Sequence, residues 1–154
     1  MIPNQVKKIS VIIVDDHQMI RQMWCNMFEG NVKVDVIGQA GDFNESVELI
    51  KAKRPDIVLL DINLAKESGF DAVPVIRKFS PGTKIIAVTM HAQPSFAKKM
   101  LQLGAKGYIT KNSSLLEIMQ AIDDVMMNKI YVCAEIKNIL ADRLLVGQDP
   151  QPGV

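Results

Sequence analysis

The stretch PDIVLLDINLAKESG, residues 55–69, decides the fold class of this chain. Its apolar run IVLL leads directly to a single acid, Asp61, and a polar loop with Gly69 follows. Such a run is too short for an ordinary helix, and Pro55 bounds it, so it predicts a buried strand that ends on a carboxylate. An isolated acid there could also be a helix N-cap or a loop residue, so its weight depends on the ends of the other strands.

The composition is typical of a globular protein. The 154 residues are 48% hydrophobic and 23% charged, with a formal net charge of +1. This length suits one domain with a sizeable core, and the charge does not indicate a nucleic-acid or anionic-membrane surface. Cys25 and Cys133 lack the spacing of metal ligands, and no apolar run is long enough for a signal sequence or membrane span. We therefore predict a soluble, cytoplasmic protein.

Four other segments have the character of strands. Ile9–Val14 (ISVIIV) and residues 84–88 (KIIAV) are apolar almost throughout, which is typical of strands buried on both faces of a parallel sheet. Residues 32–39 alternate and predict a strand with one solvated side at a sheet edge, and Gly107–Thr110 predicts a short last strand.

Segments with helical spacing of apolar residues separate these strands. The predicted stop and cap residues are Gly30 for the first helix, Asp42 or Asn44 for the second, Gly104 for the fourth (94–103), and Ser113 or Ser114 with a Glu117 capping box for the fifth. The third helix (70–79) is expected to be interrupted or bent near Pro74. Five strand–helix units in strict alternation predict a parallel sheet with helices on both faces.

Four of the predicted strands end on residues of complementary chemistry, namely Asp15 with Asp16, Asp61, Thr89 and Lys111. The carboxyl ends of parallel strands meet at one edge, where such sheets bind ligands. Three carboxylates placed together need a cation, and Mg²⁺ suits them. An ammonium and a hydroxyl suit phosphoryl oxygens, and a carboxylate can be the nucleophile that forms an acyl phosphate.

The sequence contains no glycine-rich nucleotide-binding loop. The phosphoryl donor is therefore expected to be another protein or a small acyl phosphate rather than bound ATP.

The chain resembles the receiver domain of two-component response regulators over about residues 9–127. The matching fragments, in order and at receiver spacing, are VDDH at 14–17, LLDIN at 59–63, Gly69, VT at 88–89 and GYITK at 107–111. The resemblance implies a flavodoxin-like (βα)5 fold with five parallel strands in the order 2-1-3-4-5.

The resemblance also implies a role for each site residue. Asp61 would be the phosphoacceptor. Mg²⁺ would be bound by Asp16, Asp61 and the backbone carbonyl of Asn63, with Asp15 acting through water or as a second ligand. Lys111 would pair with phosphoryl oxygens, Thr89 would move toward the phosphoryl group, and Tyr108 would rotate as the switch aromatic. The protein would be a phosphorylation-dependent switch and not a turnover enzyme.

Several positions depart from the usual receiver pattern. Leu64–Ala65 replaces Met-Pro and loses a rigid proline, while Met90 replaces a small residue and would narrow access for phosphodonors. Lys111–Asn112 replaces Lys-Pro, so a cis peptide there would be costly. His91 would lie near the path of the attacking water and could tune the lifetime of the acyl phosphate.

The VDDHQMIRQM opening and the KIYVCAEI segment resemble one subgroup, the LuxR-type regulators. We therefore expect a receiver domain over residues 1–130, followed over residues 131–154 by a C-terminal helix (134–146) and a linker (147–154). The linker would lead to a DNA-binding output domain absent from this sequence. The expected partners are a sensor histidine kinase or a phosphotransfer protein, and a homodimer through the fourth helix, fifth strand and fifth helix. DNA would be bound only by the output domain, and no membrane contact is expected.

Other interpretations remain open from the residues alone. Thr89 and Tyr108 could be ordinary strand and core residues, and His17 is expected to be structural. The chain could be a stand-alone receiver that acts through protein contacts, or an Asp-nucleophile phosphatase. In such phosphatases an acid usually follows the nucleophile by two residues, and here that residue is Asn63, which cannot be a general acid. A flavin carrier is disfavoured by the three acids.

Overall fold

The computed structural model describes residues 7–64, 69–90 and 93–138. The order of its strands and helices is β1 (Ile9–Val14), α1 (Gln18–Phe28), β2 (Val34–Ala40), α2 (Phe43–Lys53), β3 (Ile57–Asp61), α3 (Gly69–Phe79), β4 (Lys84–Thr89), α4 (Pro94–Leu103), β5 (Gly107–Thr110), α5 (Leu115–Met126) and β6 (Tyr131–Val132). A short helical segment over residues 134–138 follows β6.

The strands form one parallel sheet in the order β2-β1-β3-β4-β5-β6. The predicted order 2-1-3-4-5 is therefore confirmed, and β6 adds a sixth strand that was not predicted. Every residue of β3 is buried, whereas β2 lies at the edge and exposes Asp35. This difference in burial explains why the β3 sequence is continuously apolar and the β2 sequence alternates.

Helices cover the sheet. Helices α2, α3 and α4 pack side by side. Helix α5 lies near the α1–β2 connection, where Lys33 Nζ is 3.1 Å from Asp123 Oδ2. The structure identifies Asp42 and Ser114 as the side chains that cap α2 and α5. Helix α3 runs through Pro74 without the predicted interruption.

The segment after α5 is attached to β5 by backbone hydrogen bonds. The Tyr131 amide donates to the Lys106 carbonyl and the Cys133 amide to the Tyr108 carbonyl, both at 2.9 Å. Cys133 and Ile136 are buried in the core. The described part of the predicted helix is residues 134–138, and the rest of it, with the predicted linker over 147–154, lies outside the described residues.

Glu117 also holds this segment. Ser114 Oγ accepts from the Glu117 amide at 3.1 Å, as half of a capping box requires. The Glu117 carboxylate accepts from the Tyr131 hydroxyl and the Ala134 amide, both at 2.9 Å. Burial raises the pKa of Glu117, but hydrogen bonds from Ala134, Tyr131 and Ser113 outweigh it and leave the pKa below its ordinary value of 4.5.

Among the described residues, no helix combines the length and apolar character that are needed to cross a membrane.

The Glu117 contact predicts a measurable loss of stability. Glu117→Gln weakens two hydrogen bonds to a carboxylate and should lower the free energy of unfolding at pH 7 by about 1 kcal/mol. Since the folded-state pKa is lowered, the wild-type contribution exists above pH 4.5 and is lost as the pH falls below it. Urea denaturation at pH 7 and pH 3.5 measures both effects. Glu135→Gln, at an exposed acid nearby, is the matched control, and equal losses in both variants would contradict the assignment.

Candidate functional site: an acidic cluster at the carboxyl end of the sheet

The structure brings the predicted strand-end residues together. Asp15 follows β1, Asp61 and Thr89 end β3 and β4, and Lys111 follows β5. Asp15, Asp61 and Thr89 are each no more than 2% exposed, and the Lys111 side chain is 5% exposed. Parallel pairing places Asp61 beside Val88 and Thr89 beside Thr110, so the four strand ends reach the same edge. The predicted convergence is therefore present in the fold.

Lys111 lies between two of the acids. Its Nζ is 2.8 Å from Asp15 Oδ2 and 3.2 Å from Asp61 Oδ2. Burial lowers the pKa of Lys111, but the two carboxylates outweigh burial and raise it, so Lys111 is a cation at neutral pH. One ammonium thus faces two buried carboxylates, with Asp16 close by.

The contacts of Asp61 offset only part of the cost of burying its charge. Its Oδ1 accepts from the Asn63 amide at 2.9 Å, and its Oδ2 faces Lys111. Burial raises its pKa most strongly and the Asp15 charge raises it further, while the Asn63 amide and Lys111 lower it. The result is a pKa of about 6 instead of 3.8. The surroundings therefore disfavour the ionised form of the Asp61 carboxylate, and another positive charge nearby would stabilise it.

The group of acids around Asp61 is suited to binding a divalent cation. One ligand atom from each of Asp15, Asp16, His17 and Asp61 can be chosen so that all lie within 4.8 Å of one another. Asp16 Oδ1 is buried and accepts no hydrogen bond of good geometry among the described residues, although His17 Nδ1 lies 2.9 Å away. A buried carboxylate oxygen without a donor is costly unless a cation satisfies it. The donor set of carboxylate oxygens is the one that Mg²⁺ prefers.

His17 belongs to this cluster, although the sequence indicated only a structural residue. Its Nδ1 lies 2.9 Å from Asp16 Oδ1 and 3.1 Å from Asp15 Oδ1. The His17 side chain makes no capping hydrogen bond to α1, although His17 is the N-cap residue. The run of two acids and a histidine was the signal in the sequence, but the direction of the ring requires coordinates.

Thr89 and Tyr108 lie on neighbouring strands behind the acids. Tyr108 is fully buried. Burial raises the pKa of Tyr108 most strongly, and the Gln93 backbone and Thr89 side chain partly offset it, although neither approach has good hydrogen-bond geometry. Both residues therefore have the placement that the switch interpretation requires, and their movement stays a prediction.

The structure describes some of the positions that depart from the receiver pattern and not others. Met90 is 50% exposed at the end of β4, while His91 and Ala65 lie outside the described residues. Leu64 is buried. The structure contains no cis peptide bond in its described part, so the Lys111–Asn112 bond is trans.

Gly69 closes the loop after Asp61. Its amide donates to the Ile62 carbonyl at 2.9 Å. A Cβ atom at this position would lie 2.6 Å from both the Asp61 carbonyl oxygen and the Ile62 Cα, which are backbone atoms that cannot rotate away. The start of α3 can approach the end of β3 only because residue 69 has no side chain.

Comparison with known proteins decides the family. The family model of the response regulator receiver domain matches residues 11–123. The chain belongs to the response regulator receiver family. Response regulator GacA of Pseudomonas viridiflava is 34% identical over 133 residues, which are 86% of this chain and 62% of GacA. This receiver chain thus spans about three-fifths of the length of that relative.

Solved structures agree with this assignment. A LuxR-family two-component response regulator from Aurantimonas sp. SI85-9A1 superposes with a TM-score of 0.82 at 29% identity, covering 90% of this chain and 99% of that one. A chain of the CheX–CheY–BeF₃⁻–Mg²⁺ complex from Borrelia burgdorferi superposes with a TM-score of 0.70 at 27% identity, covering 76% and 88%. Both structures are thus similar to this chain in fold, and the first is a regulator of the LuxR family.

The close approach at Gly69 predicts an intolerant position. Gly69→Ala should lower the free energy of unfolding by about 1 to 3 kcal/mol because the new methyl group meets fixed backbone atoms. Gly82→Ala is the matched control, since a Cβ there meets nothing within 4 Å. Parallel urea titrations measure the difference, and an equally small loss for both variants would refute the steric argument.

The raised pKa of Asp61 predicts that this receiver is stabilised when that charge is removed. In chelator at pH 7.5, Asp61→Asn should be more stable than wild type by about 1 to 3 kcal/mol, because the ionised form is disfavoured in the folded state. The folded-state pKa of about 6 exceeds 3.8, so wild type should regain stability as the pH falls through 6 towards 4, and the difference should vanish. A less stable Asp61→Asn at pH 7.5 would contradict this.

Proposed function

We propose that Asp61 is the phosphoacceptor of this receiver domain and that phosphorylation switches its Thr89–Tyr108 side. The observation that carries the proposal is the buried Asp61 carboxylate, 3.2 Å from Lys111 Nζ and grouped with Asp15 and Asp16. Receiver domains of response regulators interact with histidine kinases and phosphotransfer proteins. The expected donor is therefore a phosphohistidine of a sensor kinase or phosphotransfer protein, or a small acyl phosphate.

The transfer requires little from the protein besides position and charge. An Asp61 carboxylate oxygen attacks phosphorus, the new O–P bond forms, and the P–N bond of phosphohistidine breaks, so that the imidazole leaves and takes up a proton. Lys111, already 3.2 Å from Asp61 Oδ2, turns to the phosphoryl oxygens as the carboxylate charge is lost. The Asn63 amide keeps the other Asp61 oxygen in place. Hydrolysis of the acyl phosphate resets the switch, and no other catalytic turnover is proposed.

A magnesium ion fits the acids. Asp16, Asp61 and the Asn63 carbonyl would bind it directly, and Asp15 would act through water or as a second ligand. The bound ion would supply the positive charge that the phosphoryl oxygens need during transfer. The buried Asp16 Oδ1, which accepts no hydrogen bond of good geometry, supports this placement. The Borrelia complex, which contains Mg²⁺ and BeF₃⁻, supports it by similarity.

The switch would run from Thr89 to the segment after α5. Thr89 would move toward the phosphoryl group, and the buried Tyr108 ring would follow into the space that Thr89 leaves. The Tyr108 carbonyl holds the Cys133 amide at 2.9 Å, so the change reaches residues 131–138 through the β5–β6 pairing. The output would be a homodimer through the α4–β5–α5 face or a DNA-binding domain. Met90 and His91 would tune access and lifetime.

This arrangement favours a cytoplasmic signalling switch over the two other candidates. A stand-alone receiver would use the same site but act through protein contacts alone. An Asp-nucleophile phosphatase needs an acid two residues after Asp61, and Asn63 has no such group.

Phosphorylation is tested by intact mass after incubation with acetyl phosphate, or with phosphoramidate as a P–N donor. Wild type with Mg²⁺ should gain about 80 Da, the mass of one phosphoryl group in an acyl phosphate. Neither the chelator sample nor Asp61→Asn should gain it. Asp35→Asn, at an exposed acid on β2, is the matched control and should gain the mass.

Met90→Ala separates restricted access from an inactive site. If wild type stays unmodified but Met90→Ala gains the mass, Asp61 is competent and Met90 restricts the donor. If neither protein gains mass from either donor, the proposal is wrong. Continuous phosphate release from p-nitrophenyl phosphate would instead support the phosphatase.

A further inference from the structure

We infer that His17 is a nitrogen ligand of the acidic site and makes it a better site for Mn²⁺, Co²⁺ or Zn²⁺ than for Mg²⁺. The inference rests on the metal site of the proposed function and extends it, because the expected ligands there are all oxygens. It concerns which divalent cation the chain prefers.

The distances support a shared coordination sphere. Octahedral metals with ligand bonds of about 2.1 Å hold neighbouring ligand atoms about 3.0 Å apart. His17 Nδ1 lies 2.9 Å from Asp16 Oδ1 and 3.1 Å from Asp15 Oδ1, which are two such edges. The ring nitrogen and the carboxylates therefore already have the spacing of ligands on one metal.

Two further observations concern the direction of the ring. His17 Nδ1 is hydrogen-bonded to Asp15 Oδ1 and lies 2.9 Å from Asp16 Oδ1, which accepts no hydrogen bond of good geometry, so the ring nitrogen faces both acids at the place where a cation would sit. His17 occupies the N-cap position of α1 but does not cap it. Instead, its own amide donates to Asp15 Oδ1 at 2.8 Å and holds the backbone of residue 17 beside the acids.

The ligand type determines the preferred metal. Mg²⁺ prefers oxygen ligands and water, whereas imidazole nitrogen suits first-row transition metals. His17 should therefore add little to Mg²⁺ affinity and much to that of Mn²⁺, Co²⁺ or Zn²⁺. Because the side chain is 63% exposed, its replacement should leave the core intact.

The test is pulsed electron paramagnetic resonance on the full chain loaded with Mn²⁺ at pH 8. Electron spin echo envelope modulation detects a ¹⁴N nucleus bonded directly to Mn²⁺ without any activity assay. The chain has two histidines, so His17→Gln and His91→Gln identify the source. Wild type and His91→Gln should show imidazole modulation, and His17→Gln should lose it.

Isothermal titration calorimetry gives the second readout. His17→Gln should weaken Mn²⁺ binding by at least about tenfold, a loss that even outer-shell partners of a metal can cause. Its Mg²⁺ affinity should change less than about twofold, since Mg²⁺ has little preference for imidazole. Equal weakening of both metals would overturn the inference.

The outcomes separate this inference from the proposed function. Mn²⁺ that binds without histidine modulation, in a protein that still gains a phosphoryl group, overturns only the role of His17, whose Nδ1 would then be a hydrogen-bond donor to Asp15. Modulation lost in His91→Gln instead of His17→Gln also overturns it. Failure of wild type to bind any divalent cation would overturn the metal site and this inference together.

Discussion

Two buried carboxylates, Asp15 and Asp61, share the single ammonium of Lys111, and the rest of the site depends on that imbalance. Lys111 Nζ lies 2.8 Å from Asp15 Oδ2 and 3.2 Å from Asp61 Oδ2. Asp16 adds a third acid with an unsatisfied buried oxygen. Burial raises the pKa of Asp61 most strongly, and the charge of Asp15 raises it further. Three acids grouped around one ammonium favour a divalent cation, which would relieve this unfavourable interaction.

The sequence predicts this site well because a parallel sheet converts strand ends into neighbours. Asp61 and Thr89 each follow an apolar run whose burial is required by the middle of the sheet, and both positions were correctly placed at the edge. The register itself is read from the structure, where β3 pairs with β4 from Ile57–Lys84 to Asp61–Val88. Residues that come from strand ends are thus predictable from hydrophobic pattern and order of units.

Other features depend on contacts that a pattern does not contain. Tyr131–Val132 is too short to show alternation, so β6 was missed, and its anchor Glu117 was expected only to close a capping box. The direction of the His17 ring depends on a side-chain torsion beside Asp15. The requirement for glycine at 69 comes from a 2.6 Å approach to the backbone of another element, which only the folded chain creates.

Tyr108 connects the site to the segment after α5, and its burial determines how that connection can work. A fully buried ring cannot rotate until a neighbour leaves room, and Thr89 is the polar side chain whose proximity affects the pKa of Tyr108. The Tyr108 carbonyl already accepts a hydrogen bond from the Cys133 amide. Glu117, which lies in α5, holds the same segment. It comes four residues after Ser113, a residue of the loop that begins at Lys111. Under the proposed function, a change at Asp61 thus reaches residues 131–138 by two routes, through strand β5 and through helix α5. Strand and helix must move together because the segment is hydrogen-bonded to both.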